Sequence, residues 1–145
     1  MKIYMDNCCL NRPFDDQSNP RVHLESEAIK IILNQCEKGN WKLISSDIIN
    51  YEISKTSDDI RKKELSLIIS IATEHIKLTD PHIRRSKELI ELGLNSFDAL
   101  HISCAESESD IFMTVDDQII KRVQSIHSLK IKILNPIKWL EEVLI

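Results

Sequence analysis

The sequence predicts an α/β layered fold built on a mainly parallel sheet. Three observations carry that expectation. Short apolar runs (KIYM, WKLIS, DIFMTV, IKIL) alternate with longer stretches of helical periodicity. A helix separates successive strand candidates, and parallel strands need such crossovers. The apolar set is dominated by Ile and Leu with only two Gly and four Pro, which suits an aliphatic core and short connections. At 145 residues and 42% hydrophobic content, the chain is read as one domain, 1–145, able to cover a single sheet on both faces.

The elements follow in order. KIYM is a short strand, and NRPFDDQSNPR is a polar, Pro-punctuated loop running into a helix near Pro20. That helix places Ala28, Ile31, Ile32 and Gln35/Cys36 on one face and stops at Gly39-Asn40, a natural C-cap. WKLIS is the second strand. SDIINYEISK is a helix capped by Ser45 or Ser46, with Ile48, Ile49, Glu52 and Ile53 roughly on one side. SDDIRKKELSLIISIATEH is the next helix, capped by Ser57 or an Asp; HIKLT is the third strand, and Asp80-Pro81 opens a further helix. LNSFDALHISCAESE reads as a helix capped by Asn95 or Ser96, DIFMTV as a buried strand, and DDQIIKRVQSI as a helix. IKIL is the fifth strand, before a terminal NPIKWLEEVLI helix.

Charge and cysteine usage narrow the function. A net charge of −4 gives no global basic signature, so a polyanionic partner must be met by local basic residues or by bound cations. Arg12, Arg21, Lys55, Arg61, Lys62 and Lys63 are the candidates, Arg12 and Lys55 first among them, with a solvated face as their plainer role. Cys8, Cys9, Cys36 and Cys104 lack CxxC spacing and are read as reduced thiols. No apolar run reaches the length of a membrane span and no signal-peptide pattern opens the chain, so a soluble, cytoplasmic protein is expected.

In open parallel sheets ligands bind beyond the carboxyl ends of the strands, which directs attention to the acids there. Asp6 ends the first strand, Glu52 lies on the helix after the second, Asp98 begins a later helix, and Asp116-Asp117 follows DIFMTV. Helix capping is the plainer role for Asp98, through Asn95, and for Asp117, through Thr114. Glu52 sits between Ile49 and Ile53 and faces inward, so it needs a cation; Lys55 or a distant Arg would serve. If the sheet gathers Asp6, Asp98 and Asp116 at one end with Glu52 reaching in, their repulsion calls for a divalent cation. Oxygen ligands suit Mg²⁺ or Mn²⁺, which can activate water for attack on a phosphodiester.

The four segments IYMDNCCLNRPFDD, INYEIS, NSFDALHIS and FMTVDD resemble, in order and spacing, the acidic positions of PIN-domain nucleases, across essentially the whole chain. The resemblance implies a three-layer α/β/α sandwich around a parallel sheet of about five strands. It also implies a metal-dependent endoribonuclease similar to the VapC group, the toxin halves of toxin-antitoxin pairs, with a cognate antitoxin and commonly a homodimer. On that reading Asp6, Glu52, Asp98 and Asp116 hold metal and water, and Thr114 is the hydroxyl two residues before the last acid. The chain departs from the family in carrying Asn7 and Cys8 where a Ser or Thr commonly follows the first Asp; Asn7 is expected to supply the comparable hydrogen bond. The fourth position is doubled; Asp116 is expected to face the metal and Asp117 to cap the helix through Thr114. A PIN-like domain that binds RNA or a protein without cutting is the alternative.

Other constellations fit less well. Cys8 or Cys9 with His101 and Asp98 could form a thiol nucleophile and its base, but His101 at i+3 from Asp98 is explained by a hydrogen bond or packing. Zinc spacing, a receiver-domain acidic pair and a Gly-rich phosphate loop are all missing. The ELSLIISIA stretch holds more Ile and Leu than one buried stripe requires, which suggests a dimer or antitoxin groove, or simply a buried helix.

Overall fold

A computed structural model of the chain describes residues 1–144. Five strands, β1 (Lys2–Met5), β2 (Lys42–Ser46), β3 (Glu74–Ile76), β4 (Ile111–Met113) and β5 (Lys132–Leu134), form one sheet in the order β3-β2-β1-β4-β5. Every neighbouring pair is parallel. The connections are helical: α1 (Asn7–Asn11), α2 (Pro20–Glu37), α3 (Asp47–Ser54), α4 (Asp59–Ile69), α5 (Asp80–Glu91), α6 (Ser96–Glu108), α7 (Asp117–Val123) and α8 (Pro136–Val143). This is the predicted three-layer PIN-like sandwich with a five-stranded parallel sheet.

The central strand explains the layering. Ile3, Tyr4 and Met5 are wholly buried, so β1 is covered on both faces. Tyr4 points toward α6, where its hydroxyl meets His101, and strand alternation sends Ile3 and Met5 to the opposite face. One layer pairs α2 with α8, and the other pairs α6 with α5. Each buried Ile or Leu side chain contributes about 1.5–3 kcal/mol, and the aliphatic set expected from composition makes up most of this core.

Side-chain caps fix where most of the helices begin. Asn19 accepts from the Arg21 and Val22 amides ahead of Pro20; Ser46 accepts from Ile49 N, Asp58 from the Ile60 and Arg61 amides, and Asn135 from Ile137 N. After α2 the chain turns at Gly39, whose φ of 83° is left-handed, as the C-cap reading requires.

Several details differ from expectation. Residues 7–11, between the first strand and the expected loop, form a short helix that the sequence reading did not assign, because the Asp6 carboxylate caps it. On α2 the inward stripe is Ala28, Ile29, Ile32, Leu33 and Cys36, whereas Ile31 is 47% exposed; two overlapping apolar stripes run along this helix and the packing selects the other one. The third strand is only Glu74–Ile76, the residues that pair with Ile44–Ser46 of β2. Thr79, not Asp80, caps α5. Of the ELSLIISIA stretch, α4 fully buries Leu65 alone, and Leu67 is 56% exposed.

Chain topology sets the place of the site. From β1 the chain builds β2 and β3 to one side, then crosses back to lay β4 and β5 on the other. The two directions part between β1 and β4, and such a switch point opens a crevice at the carboxyl ends of the strands.

Candidate active site

Asp6 and Thr114 stand side by side at that crevice, each following a residue of the Met5–Met113 pair. The Asp6 amide donates to Met113 O (3.2 Å), which anchors the carboxylate where the two strands end. Asp6 is 4% exposed. Its carboxylate accepts from Cys9 N (3.0 Å) and from the Cys8 thiol (3.1 Å). Burial pushes its pKa up, and hydrogen bonds from Thr114, Cys8 and Cys9 oppose that rise.

A cavity of about 1000 Å³ opens over this point, lined by Asp6, Glu52, Asp98 and Asp116, the four acids singled out in the sequence. Asp98, in the first turn of α6, is pushed up to about 6 by burial first, then by the charges of Asp6 and Asp116. Asp116 caps α7, its carboxylate accepting from Gln118 N at 2.9 Å. Glu52 reaches the wall from α3 and is bonded to His101 Nε2.

His101 links Glu52 to the core. Its Nδ1 shares a hydrogen bond with the Tyr4 hydroxyl (2.7 Å), which in turn meets Ser46 Oγ (2.7 Å). With a neutral imidazole one set of roles is self-consistent. Nε2–H donates to the Glu52 carboxylate, Tyr4 O–H donates to Nδ1, and Ser46 O–H donates to Tyr4 while its oxygen accepts from Ile49 N.

The remaining candidates separate. Asn7 lines the cavity, but its side chain accepts from Asn11 Nδ2 (3.1 Å) and makes no bond to Asp6; Cys8 supplies the hydrogen bond expected from Asn7. Thr114 is buried and its hydroxyl accepts from Asp116 N (3.1 Å), so it shapes the turn that carries Asp116. Asp117 does not cap through Thr114. It faces outward in a two-pronged pair with Arg21, both contacts at 2.6 Å, which holds its carboxyl below the usual range. Arg12 lines the cavity and pairs with Asp15 (3.3 Å) and with the wholly buried Glu25 (3.0 Å). Lys55 lines it too, its Nζ 5.4 Å from the centre of the Tyr51 ring, so the partner of Glu52 is the His101 imidazole and not the lysine the sequence offered.

The thiol alternative finds no support in this geometry. Burial and the nearby Asp6 charge push both Cys8 and Cys9 up, away from the reactive thiolate, and His101 bonds to Tyr4 and Glu52.

The donor set is chemically suited to a hard divalent cation: oxygen ligands from four segments line one cavity, and burial together with the neighbouring carboxylate charges raises the Asp98 pKa. As the side chains stand, no three His, Cys, Asp or Glu among the described residues form a closed metal-holding group. Glu52 is turned to His101 and Asp116 to its helix cap.

The fold has solved counterparts. A chain in the crystal structure of VapBC2 from Rickettsia felis bound to a DNA fragment from their promoter superposes with a TM-score of 0.62, over 93% of this chain and 98% of that one, at 18% identity. A chain in the structure of FitAcB from Neisseria gonorrhoeae gives a TM-score of 0.59, over 92% and 97% of the two chains, at 16% identity. These likenesses span the whole sandwich, so its architecture is shared end to end. No family model matches the sequence, and no curated protein matches it.

Sequence reasoning missed the partners of Glu52. His101 carried a signal, lying on the inward face of α6 one turn from Asp98, and Tyr4 is the polar-tipped residue between the apolar Ile3 and Met5. Their meeting with Glu52 is a long-range contact that no local pattern announces.

Proposed function

We propose that the protein is a metal-dependent endoribonuclease and the toxin member of a toxin-antitoxin pair. The observation that carries the reading is the cavity at the β1/β4 switch point, which acids from four separate segments line together, with Asp98 raised by burial first and by the Asp6 and Asp116 charges next. Asp6, Asp98 and Asp116, with Glu52, are the residues to hold Mg²⁺ or Mn²⁺. Bound there, such an ion would supply neutralisation of charge on the phosphate and a lowered pKa for water.

The chain's own groups supply the rest. Glu52, oriented by His101, takes the proton of a water that attacks the RNA phosphorus in line, and the P–O bond opposite the attack breaks. Asp6 is fixed from behind by Cys8 and Cys9, so it offers its carboxylate in one orientation. Lys55 and Arg61 stand on the cavity wall for the phosphate backbone.

The toxin reading is supported by whole-chain likeness to chains of the VapBC2 and FitAcB structures, the first of them bound to promoter DNA. A protein partner also fits the exposed apolar residues Ile60 and Leu67 on α4, and a homodimer would cover the same kind of face. No helix among the described residues is long and apolar enough to cross a membrane.

The test is cleavage of single-stranded RNA with Mg²⁺ or Mn²⁺ by the wild-type protein and by Asp6→Asn. We expect loss of cleavage in the variant, with an unchanged fold by circular dichroism. Equal cleavage by both would sink the assignment. A non-cleaving domain that binds RNA or protein is the second reading, favoured by the absence of a closed ligand group among the described residues. Wild-type protein that binds RNA without cutting it under either metal decides for that reading.

A further inference from the structure

Two residues on the cavity wall have no part in the chemistry above. Tyr51 and Phe97 each precede an acid, Glu52 and Asp98, and their rings stack across the α3/α6 junction at 5.9 Å between centroids and 11° between planes. Aromatic pairs of this kind are usually core, but these rings are 50% and 44% exposed and line the cavity. Lys55 lies over the Tyr51 ring and pairs with no carboxylate among the described residues.

We propose that the Tyr51–Phe97 pair is a stacking platform for an unpaired base of single-stranded RNA, with Lys55 receiving an adjacent phosphate. The proposal rests on the ribonuclease reading of the cavity and specifies its substrate. An aromatic face accepts any base, whereas a neighbouring ammonium suits the backbone that joins the bases. A base inside a duplex is already stacked on both sides and cannot offer its face. The platform therefore selects unpaired nucleotides and holds the strand beside the carboxylates. An apolar protein segment would bury the rings without using the free Lys55 charge. The Lys55 charge beside the rings favours the nucleic acid.

The test is fluorescence anisotropy with a 5′-labelled single-stranded RNA 12-mer and the same sequence annealed as a duplex, in the full chain carrying Asp6→Asn, with Mg²⁺ present. Adding Tyr51→Ala and Phe97→Ala is expected to weaken single-strand binding about tenfold or more and to leave any duplex binding and the salt slope unchanged. Lys55→Gln is expected to lower the salt slope by about one. Tyr51→Leu with Phe97→Leu keeps apolar bulk but removes the π faces, so its weakening separates stacking from loss of structure. Unchanged single-strand affinity in both double variants overturns the platform, as does equal weakening for the duplex. So does a change of oligomeric state in size-exclusion chromatography with RNA affinity preserved, which assigns the pair to a protein interface. If wild-type protein cleaves RNA while the double variants bind normally, the platform fails and the nuclease stands. If wild-type protein neither binds nor cleaves RNA, both fail.

Discussion

Glu52 on α3 is held by His101 on α6, forty-nine positions away, and His101 is held in turn by Tyr4 from the central strand. The carboxylate proposed to take a proton is thus tied through one imidazole to the middle of the sheet. His101→Ala is expected to lower cleavage about 10- to 100-fold with little change in KM, because the residue orients Glu52 and does not touch RNA. His101→Gln, which keeps a donor toward Glu52, should recover part of kcat. Steady-state kinetics on the two variants checks this, and equal losses in both would count against an orienting role.

Asp98 gives a pH signature. Its pKa in the fold, about 6, lies above the unfolded value near 3.8, so between these limits the native state binds more protons than the unfolded one. Stability contributed by the protonated form is full below pH 4 and lost as pH rises through 6. The metal-free Tm should fall across pH 4 to 7 from this group, and Asp98→Asn should remove that part of the slope. The variant should be more stable at pH 7 by about 1–2 kcal/mol after allowance for partial solvent screening. Differential scanning calorimetry in EDTA reads both effects.

Arg12 has a structural duty that outweighs any contact with RNA. Glu25 is wholly buried, and Arg12, Arg21 and Asn135 are its partners. Arg12→Ala leaves that carboxylate short of a cation and is expected to cost about 3 kcal/mol, visible as a lower urea midpoint. Arg12→Ala combined with Glu25→Gln should recover much of it. A single variant as stable as wild type would return Arg12 to the list of free basic residues.

Cys8 donates to Asp6, and burial together with the negative charge it faces keeps the thiol protonated. Iodoacetamide at pH 8 should modify it far more slowly than a free thiol, by mass spectrometry of the digested protein. Cys8→Ser keeps a donor and should preserve cleavage. Cys8→Ala removes the bond and should destabilise the fold by about 1 kcal/mol.

What the sequence disclosed follows from which forces are local. Strand runs, capping residues and the Gly39 stop act over a few positions, so the alternation and nearly all elements were readable. The five-residue α1 was hidden because a single side chain, Asp6, defines it amid polar residues. Ile31 was misplaced because periodicity gives a helix two neighbouring apolar stripes and only packing chooses between them. At the site, the order of the acids was legible, while their partners were not. Glu52 meets His101, and Asp117 meets Arg21 across ninety-six positions, only after the sheet has assembled.

The strand order β3-β2-β1-β4-β5 has a consequence for biosynthesis. Asp6 and Glu52 emerge early from the ribosome, but Asp98 and Asp116 belong to the last third of the chain, and β4 must slot beside β1 before the crevice exists. A nascent chain stopped before β4 lacks Asp116 and the strand that closes the crevice. If the protein is the RNA-cutting agent proposed here, translation of its own message must pass β4 and Asp116 before the product can turn on RNA.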